Sequence, residues 1–150
     1  MKRLYFLGII ILILFSSLTG CGNGTPSDKD MMVAVADSFT NALYNFKYDK
    51  ATALCDSNSC KAIDFFCSNL TEKDMEAIRK APQGASVEIG DADCNEDSTG
   101  SVVITASNVF CKDSIGKSGY IKEKEAYRLP LKKVNGHWKV LFAERTAVAE

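Results

Sequence analysis

Apolar residues recur at steps of three and four positions from residue 28 onward, which is the period of an amphipathic helix. The first such stripe predicts a long helix over residues 28 to 47. Ser27, followed three residues later by Asp30, is typical of the capping box that begins a helix. The expected buried face of this helix comprises Met31, Val35, Phe39, Ala42, Leu43 and Phe46.

Three shorter helices are predicted next, each starting from a polar residue that can cap its first turn. The expected N-caps are Asp49, Ser59 and Thr71. Thr71 also has Asp74 three residues later, which repeats the spacing of a capping box. Pro82 ends the helical half of the chain, because proline cannot continue a helix.

From residue 87 the apolar period changes to two, which predicts β-strands. We expect a strand over residues 87 to 94, a central strand over 102 to 110 that is apolar on both faces, and a long strand over 120 to 134. Asn135-Gly136 then predicts a two-residue hairpin turn, and the last strand runs to residue 146. The expected pairs across this hairpin are Val134–His137, Lys133–Trp138, Leu131–Val140 and Leu129–Phe142.

The first twenty residues have the pattern of an export signal. Two basic residues precede an apolar run over residues 4 to 15, which is too short to span a bilayer comfortably. Leu18-Thr19-Gly20-Cys21 follows and resembles the lipobox of a bacterial lipoprotein precursor. The resemblance implies cleavage after Gly20 and acylation of Cys21. The alternative is an ordinary secretory signal in which the cysteine is incidental.

On the lipoprotein interpretation, residues 21 to 27 form a tether and residues 28 to 147 a single α+β domain that is held to the membrane by lipid. No acidic residue directly follows Cys21, and the sorting rules of bacterial lipoproteins then imply the outer membrane of the cell envelope, facing the periplasm. Loss of the two basic residues of the leader takes the formal charge from −1 to −3. A mildly acidic domain does not suit a polyanionic partner, so we expect no nucleic acid.

Five cysteines remain once Cys21 is acylated, and an odd number leaves at least one thiol outside any intramolecular bridge. Cys55 and Cys60 can form a disulfide around a tight turn. Cys94 and Cys111 lie too far apart along the predicted strands to bridge each other. The cysteine spacings are unlike those of zinc sites, and we predict no metal and no cofactor.

Helices followed by an antiparallel meander are typical of an α+β fold, here with a curved four-stranded sheet wrapped across the first helix. The spacing of Phe39, Ala42 and Leu43, the segment from Tyr48 to Leu54, and the closing run Val134-Asn135-Gly136-His137-Trp138-Lys139-Val140 resemble the cystatin-like lipoproteins of bacteria. Those proteins are of unknown function and belong to the nuclear-transport-factor-2-like superfamily. The resemblance covers nearly the whole mature chain and implies a cone whose mouth holds a small molecule or a protein partner.

Two functions remain open on the sequence. The first is a non-enzymatic binding or assembly module, for which we expect no pocket with converging titratable groups. The alternative is an isomerase- or dehydratase-like enzyme, which needs a cavity containing one acid, with Asp64 the expected one, and a tyrosine in hydrogen-bond reach. His137 flanks the hairpin turn and is expected on the surface. The predicted pocket residues are Tyr44, Asp64, Tyr127 and Trp138.

Overall fold

The computed structural model describes residues 25 to 148, and the predicted signal peptide, cleavage site and Cys21 lie outside these residues. Four helices come first, followed by an antiparallel sheet. The helices are α1 (Asp28–Tyr44), α2 (Tyr48–Leu54), α3 (Ser57–Ser68) and α4 (Glu72–Lys80). The strands are β1 (Ser86–Cys94), β2 (Thr99–Cys111), β3 (Tyr120–Val134), β4 (His137–Val140) and a short β5 (Thr146–Ala147). None of the described helices has the length and apolar character needed to cross a bilayer.

The sheet confirms the predicted α+β fold. Its strand order is β1-β2-β3-β4, every pair is antiparallel, and β2 is an inner strand as its two apolar faces predicted. Helix α1 contacts all four of these strands, so the sheet curves across it. The largest buried cluster runs from Met32 to Val140, so this core lies wholly within the described domain.

The β3–β4 hairpin forms at the predicted turn. Asn135 and Gly136 both have positive φ angles, 50° and 81°, as a two-residue turn of this kind requires. Lys133 pairs with Trp138 and Leu131 with Val140, which confirms the predicted register. The predicted pair of Leu129 with Phe142 is wrong, because β4 ends at Val140. The chain instead turns through a short 3-10 helix, Phe142–Glu144, and returns to β3 as β5.

The buried face of α1 differs from the predicted one by about one position. Met32 is fully buried, whereas Met31 is 39% exposed. The helix also ends at Tyr44, before residue 47, and Phe46 follows it with a positive φ of 59° and an exposed side chain. Two neighbouring faces of this helix are about equally apolar in sequence, and the contacts of the helix with the sheet decide which of them is buried. The buried residues of α1 are Met32, Ala36, Phe39, Thr40, Ala42 and Leu43.

Two of the four predicted helix starts have the expected caps. Ser27 and Thr71 each head a capping box, completed by an aspartate three residues later. Helix α2 starts at Tyr48, without a side-chain cap, so the prediction of Asp49 as its N-cap is wrong. Asp56, not Ser59, caps α3 by accepting from two backbone N–H groups. Ser59 is buried and accepts from the backbone N–H of Ala143 at 3.1 Å, which joins α3 to the 3-10 helix.

Candidate functional site

A cavity of about 520 Å³ opens between the end of α1, one face of α3, the β2–β3 loop and the 3-10 helix. Aromatic side chains come from α1, α2, α3, the facing ends of β2 and β3, and the 3-10 helix. The wall is therefore largely hydrophobic. Its aromatic residues include Tyr44, Phe46, Tyr48, Phe65, Phe66, Phe110, Tyr120 and Phe142.

The half-buried carboxylate of this wall, Glu125, accepts a hydrogen bond from Tyr44, which is in turn hydrogen-bonded to Tyr127. The Tyr44 hydroxyl donates to Glu125 Oε1 at 2.7 Å, and its oxygen lies 2.9 Å from the Tyr127 hydroxyl. Burial raises the pKa of Tyr44 well above its ordinary value and raises the pKa of Tyr127 to about 12. Both phenols therefore keep their protons at neutral pH and act in the cavity as hydrogen-bonding groups.

A buried ion pair fixes the β2–β3 loop that forms one side of the cavity. Lys112 Nζ lies 2.5 Å from Asp74 Oδ2, and both side chains are almost wholly buried. Lys112 also donates to the carbonyl of Asn69 at 2.9 Å, and the N–H of Gly119 donates to Asp74 Oδ1 at 2.8 Å. Helix α4, to which Asp74 belongs, is thus bonded to both ends of the loop. The cavity wall from Lys112 to Ile115 depends on this connection.

The mouth of the cavity is apolar and partly open to solvent. Phe65 is 61% exposed, Ile115 is 64% exposed and Tyr120 is 45% exposed, although all three line the cavity. Arg145 also lies at the rim, where its guanidinium stacks on the Phe142 ring at 3.9 Å and donates to the Phe142 carbonyl at 3.1 Å. Exposed apolar groups around a concave site are typical of a ligand-binding surface.

The structure brings together two of the four predicted pocket residues. Tyr44 lines the cavity, and Tyr127 lies behind it, within hydrogen-bonding distance. Asp64 is exposed on α3 and does not line the cavity. Trp138 is buried in the core on β4, where its Nε1 has no hydrogen-bond partner among the described residues. The half-buried acid of the cavity is Glu125, and the prediction of Asp64 in that place is corrected.

Sequence reasoning missed Glu125, although one signal marked it. Glu125 has the same parity along β3 as Tyr127 and Leu129, which face the core. An acid on the core-facing side of a strand indicates a polar partner or a cavity, because an unpaired buried carboxylate is costly. Tyr48, another lining residue, has a buried hydroxyl with no hydrogen-bond partner among the described residues. This hydroxyl is closed off from the cavity and lies near the Cys67 thiol, and burial raises the pKa of Tyr48.

The cysteine pair predicted to bridge lies close together. The Sγ atoms of Cys55 and Cys60 are 3.1 Å apart and both lie near the carbonyl of Thr52, and the two thiols are free in this structure. Their disulfide therefore stays a prediction. Cys94 pairs with Gly100 at one end of β2, and Cys111 is at the other end. In the part of the chain that the structure describes, no three potential metal ligands converge.

Comparison with solved structures finds an NTF-2-like protein of unknown function from Shewanella oneidensis MR-1. It is 11% identical in sequence and has a TM-score of 0.49. The aligned region covers 74% of this chain and 92% of that protein. No protein-family model matches the chain, and no curated protein matches it. The resemblance to cystatin-like lipoproteins therefore stays a prediction.

Proposed function

We propose that the protein is a lipid-anchored binding module of the cell envelope that holds a small, largely apolar molecule in its cavity. The observation that carries this proposal is the aromatic cavity of about 520 Å³ with an open, apolar mouth. Its volume falls in the range of about 300 to 1,000 Å³ that is usual for small-molecule sites. The Glu125 carboxylate is a polar group of the lining that can orient such a molecule.

The cavity brings Glu125 and Tyr44 together, so the expectation that a binding module has no pocket with converging titratable groups is wrong. The same pair bears on the enzyme alternative. That alternative requires an acid with a tyrosine in hydrogen-bond reach, and Glu125 with Tyr44 has this geometry. A tyrosine that exchanges protons near neutral pH needs a pKa near that pH, whereas burial moves the pKa values of Tyr44 and Tyr127 upward. The single histidine, His137, is exposed beside the hairpin turn and does not line the cavity. We therefore propose binding as the function.

The proposed anchor and the cavity lie at opposite ends of α1. The seventeen residues of this helix span about 25 Å. The cavity is lined by residues at its C-terminal end, and the tether joins its N-terminal end. Residues 21 to 27 extend by at most about 25 Å. We propose that an acyl group on Cys21 holds the domain to the outer membrane on its periplasmic side.

Replacing Cys21 with serine is expected to abolish lipidation and to leave the leader attached. The intact mass of the wild-type protein should then correspond to a chain that begins at residue 21 and carries acyl groups, whereas the variant keeps its first twenty residues. A Cys94→Ser variant controls for the loss of a thiol elsewhere in the chain. A wild-type protein with its leader attached and an unmodified Cys21 thiol contradicts the anchor.

Replacing Ala62 with tryptophan is expected to fill the cavity and to weaken binding of the neutral dye N-phenylnaphthylamine at least about tenfold. Ala62 lines the cavity and is exposed at its mouth, so the larger side chain has room to enter. The dye fluoresces in apolar surroundings, and its titration gives the affinity. Ala34→Trp, at an exposed position on α1 outside the cavity, is the matched control. Absence of dye binding to the wild-type protein contradicts the proposed site.

A further inference from the structure

The ionised groups around the cavity differ in how far they are already engaged. The Lys112 ammonium faces away from a ligand, because Asp74 and the Asn69 carbonyl hold it and its side chain is 4% exposed. Asp113 is exposed and accepts from the Tyr120 hydroxyl at 3.0 Å. Arg145 is exposed at the rim and stacks on Phe142. Glu125 is thus the half-buried acid that the lining presents to a bound molecule.

One oxygen of this carboxylate is open to a further partner. Glu125 Oε1 accepts the Tyr44 hydroxyl at 2.7 Å, whereas Oε2 has only Lys122 Nζ at 3.6 Å. The Lys122 side chain is 46% exposed, and an ion pair of that length at the surface contributes little to stability. A cation that reaches Glu125 from the cavity would compete with Lys122 for Oε2 and would leave the Tyr44 hydrogen bond to Oε1 intact.

The surrounding aromatic rings suit a cation that carries apolar substituents. Ring faces attract ammonium groups, and sites lined by several aromatic side chains bind quaternary ammonium ligands. Tyr44 and Phe110 line the same cavity as Glu125, and Phe65 extends the apolar surface to the mouth, whereas Arg145 already covers the Phe142 ring. An anionic ligand would instead meet the Glu125 carboxylate, and the lining cation nearest to solvent, Arg145, lies exposed at the rim and stacks on Phe142.

We propose that the cavity binds a small amphiphile whose ammonium group lies at Glu125 Oε2 and whose apolar part lies along the aromatic wall. This inference rests on the proposed binding function and adds the charge of the ligand to it. Ligands with a primary ammonium group and ligands with a quaternary ammonium group both have the chemistry that this proposal requires.

The test compares two probes that have the same tail and opposite charge, octyltrimethylammonium and octyl sulfate, below their micelle concentrations. Isothermal titration calorimetry uses the lipid-free chain from residue 21 onward, which contains the whole described core. The cationic probe is expected to bind at least about tenfold more tightly than the sulfate, since the partly buried carboxylate and the ring faces attract its charge and repel that of the sulfate. Glu125→Gln keeps the acceptor for Tyr44 and is expected to remove the preference.

Glu123→Gln is the matched control, because it removes the same charge from an exposed position two residues away on β3. The neutral dye checks that the Glu125→Gln cavity is still formed. Equal affinity of the wild-type protein for both probes overturns the inference and leaves the binding function standing. A preference that persists in a folded Glu125→Gln protein also overturns it. If neither probe nor the neutral dye binds the wild-type protein, the proposed function itself is wrong.

Discussion

Replacing Asp74 with alanine is expected to lower the melting temperature of the protein by about 10 to 20 °C. Asp74 is 1% exposed and accepts from Lys112 Nζ at 2.5 Å, from the Gly119 N–H at 2.8 Å and from the Thr71 N–H at 2.8 Å. The variant leaves the Lys112 ammonium buried without a counter-charge and releases the β2–β3 loop from α4. Thermal unfolding followed by circular dichroism measures the effect.

Glu76→Ala is the matched control for this prediction. Glu76 lies on the same helix and forms an ion pair with Lys80 at 3.5 Å, but both side chains are well exposed. Its loss is expected to change the melting temperature by no more than about 2 °C. Combining Asp74→Ala with Lys112→Met should recover part of the lost stability, since no unpaired charge then stays buried. Equal effects of Asp74→Ala and Glu76→Ala would show that the buried pair does not stabilise the fold.

The same pair also predicts how stability depends on pH. The Lys112 ammonium, with the Gly119 and Thr71 N–H groups, holds the pKa of Asp74 well below its ordinary value of 3.8. A carboxyl group with a lowered folded-state pKa contributes its full stability above the unfolded-state pKa and loses it as the pH falls. The difference in stability between wild type and Asp74→Ala is therefore expected to be constant near neutral pH and to shrink below about pH 4.

Local signals in the sequence predicted the elements of the fold well. Asn135-Gly136 needs no distant partner to form its turn, and its register follows from the alternation of the two flanking strands. The capping boxes at Ser27 and Thr71 are likewise complete within four residues. The order of helices and strands and most of the hairpin register followed from these short-range patterns.

Features that depend on distant contacts were not predicted. Met31 and Met32 are equally apolar, and only the position of the sheet decides that Met32 is buried. Asp74 was predicted as a capping residue alone, because its pairing with Lys112 joins positions 38 residues apart. The candidate site also depends on a distant contact, since Tyr44 and Glu125 are 81 residues apart in sequence. Tyr44 and Tyr127 could be proposed as aromatic residues at element ends, but their shared acid required the structure.

The second large effect on stability is expected at Gly100, which lies against the buried Met32. Gly100→Ala is expected to destabilise the protein by about 2 to 3 kcal/mol, the upper part of the range for overpacking a core. A Cβ atom at Gly100 would lie 2.6 Å from the Asp93 carbonyl oxygen on β1 and well inside contact distance of the buried Met32 Sδ. Replacing glycine with alanine inside a strand usually stabilises a protein. Here α1 and β1 approach Gly100 so closely that the same replacement is expected to destabilise it. Urea unfolding gives the free energy of unfolding.

Gly84→Ala distinguishes this local crowding from a general effect of removing glycine. The nearest atom to a Cβ at Gly84 is 4.0 Å away, so this change should be neutral or stabilise by up to about 1 kcal/mol. A Met32→Ala background separates the two contacts of Gly100, because it removes the thioether and leaves the Asp93 carbonyl in place. Gly100→Ala should cost less there, yet still destabilise, since the backbone oxygen cannot move without breaking the β1–β2 pairing of Asp93 with Ser101. A Gly100→Ala protein as stable as wild type would contradict the close approach of the Asp93 carbonyl, and equal costs in the wild-type and Met32→Ala backgrounds would contradict the contact with Met32.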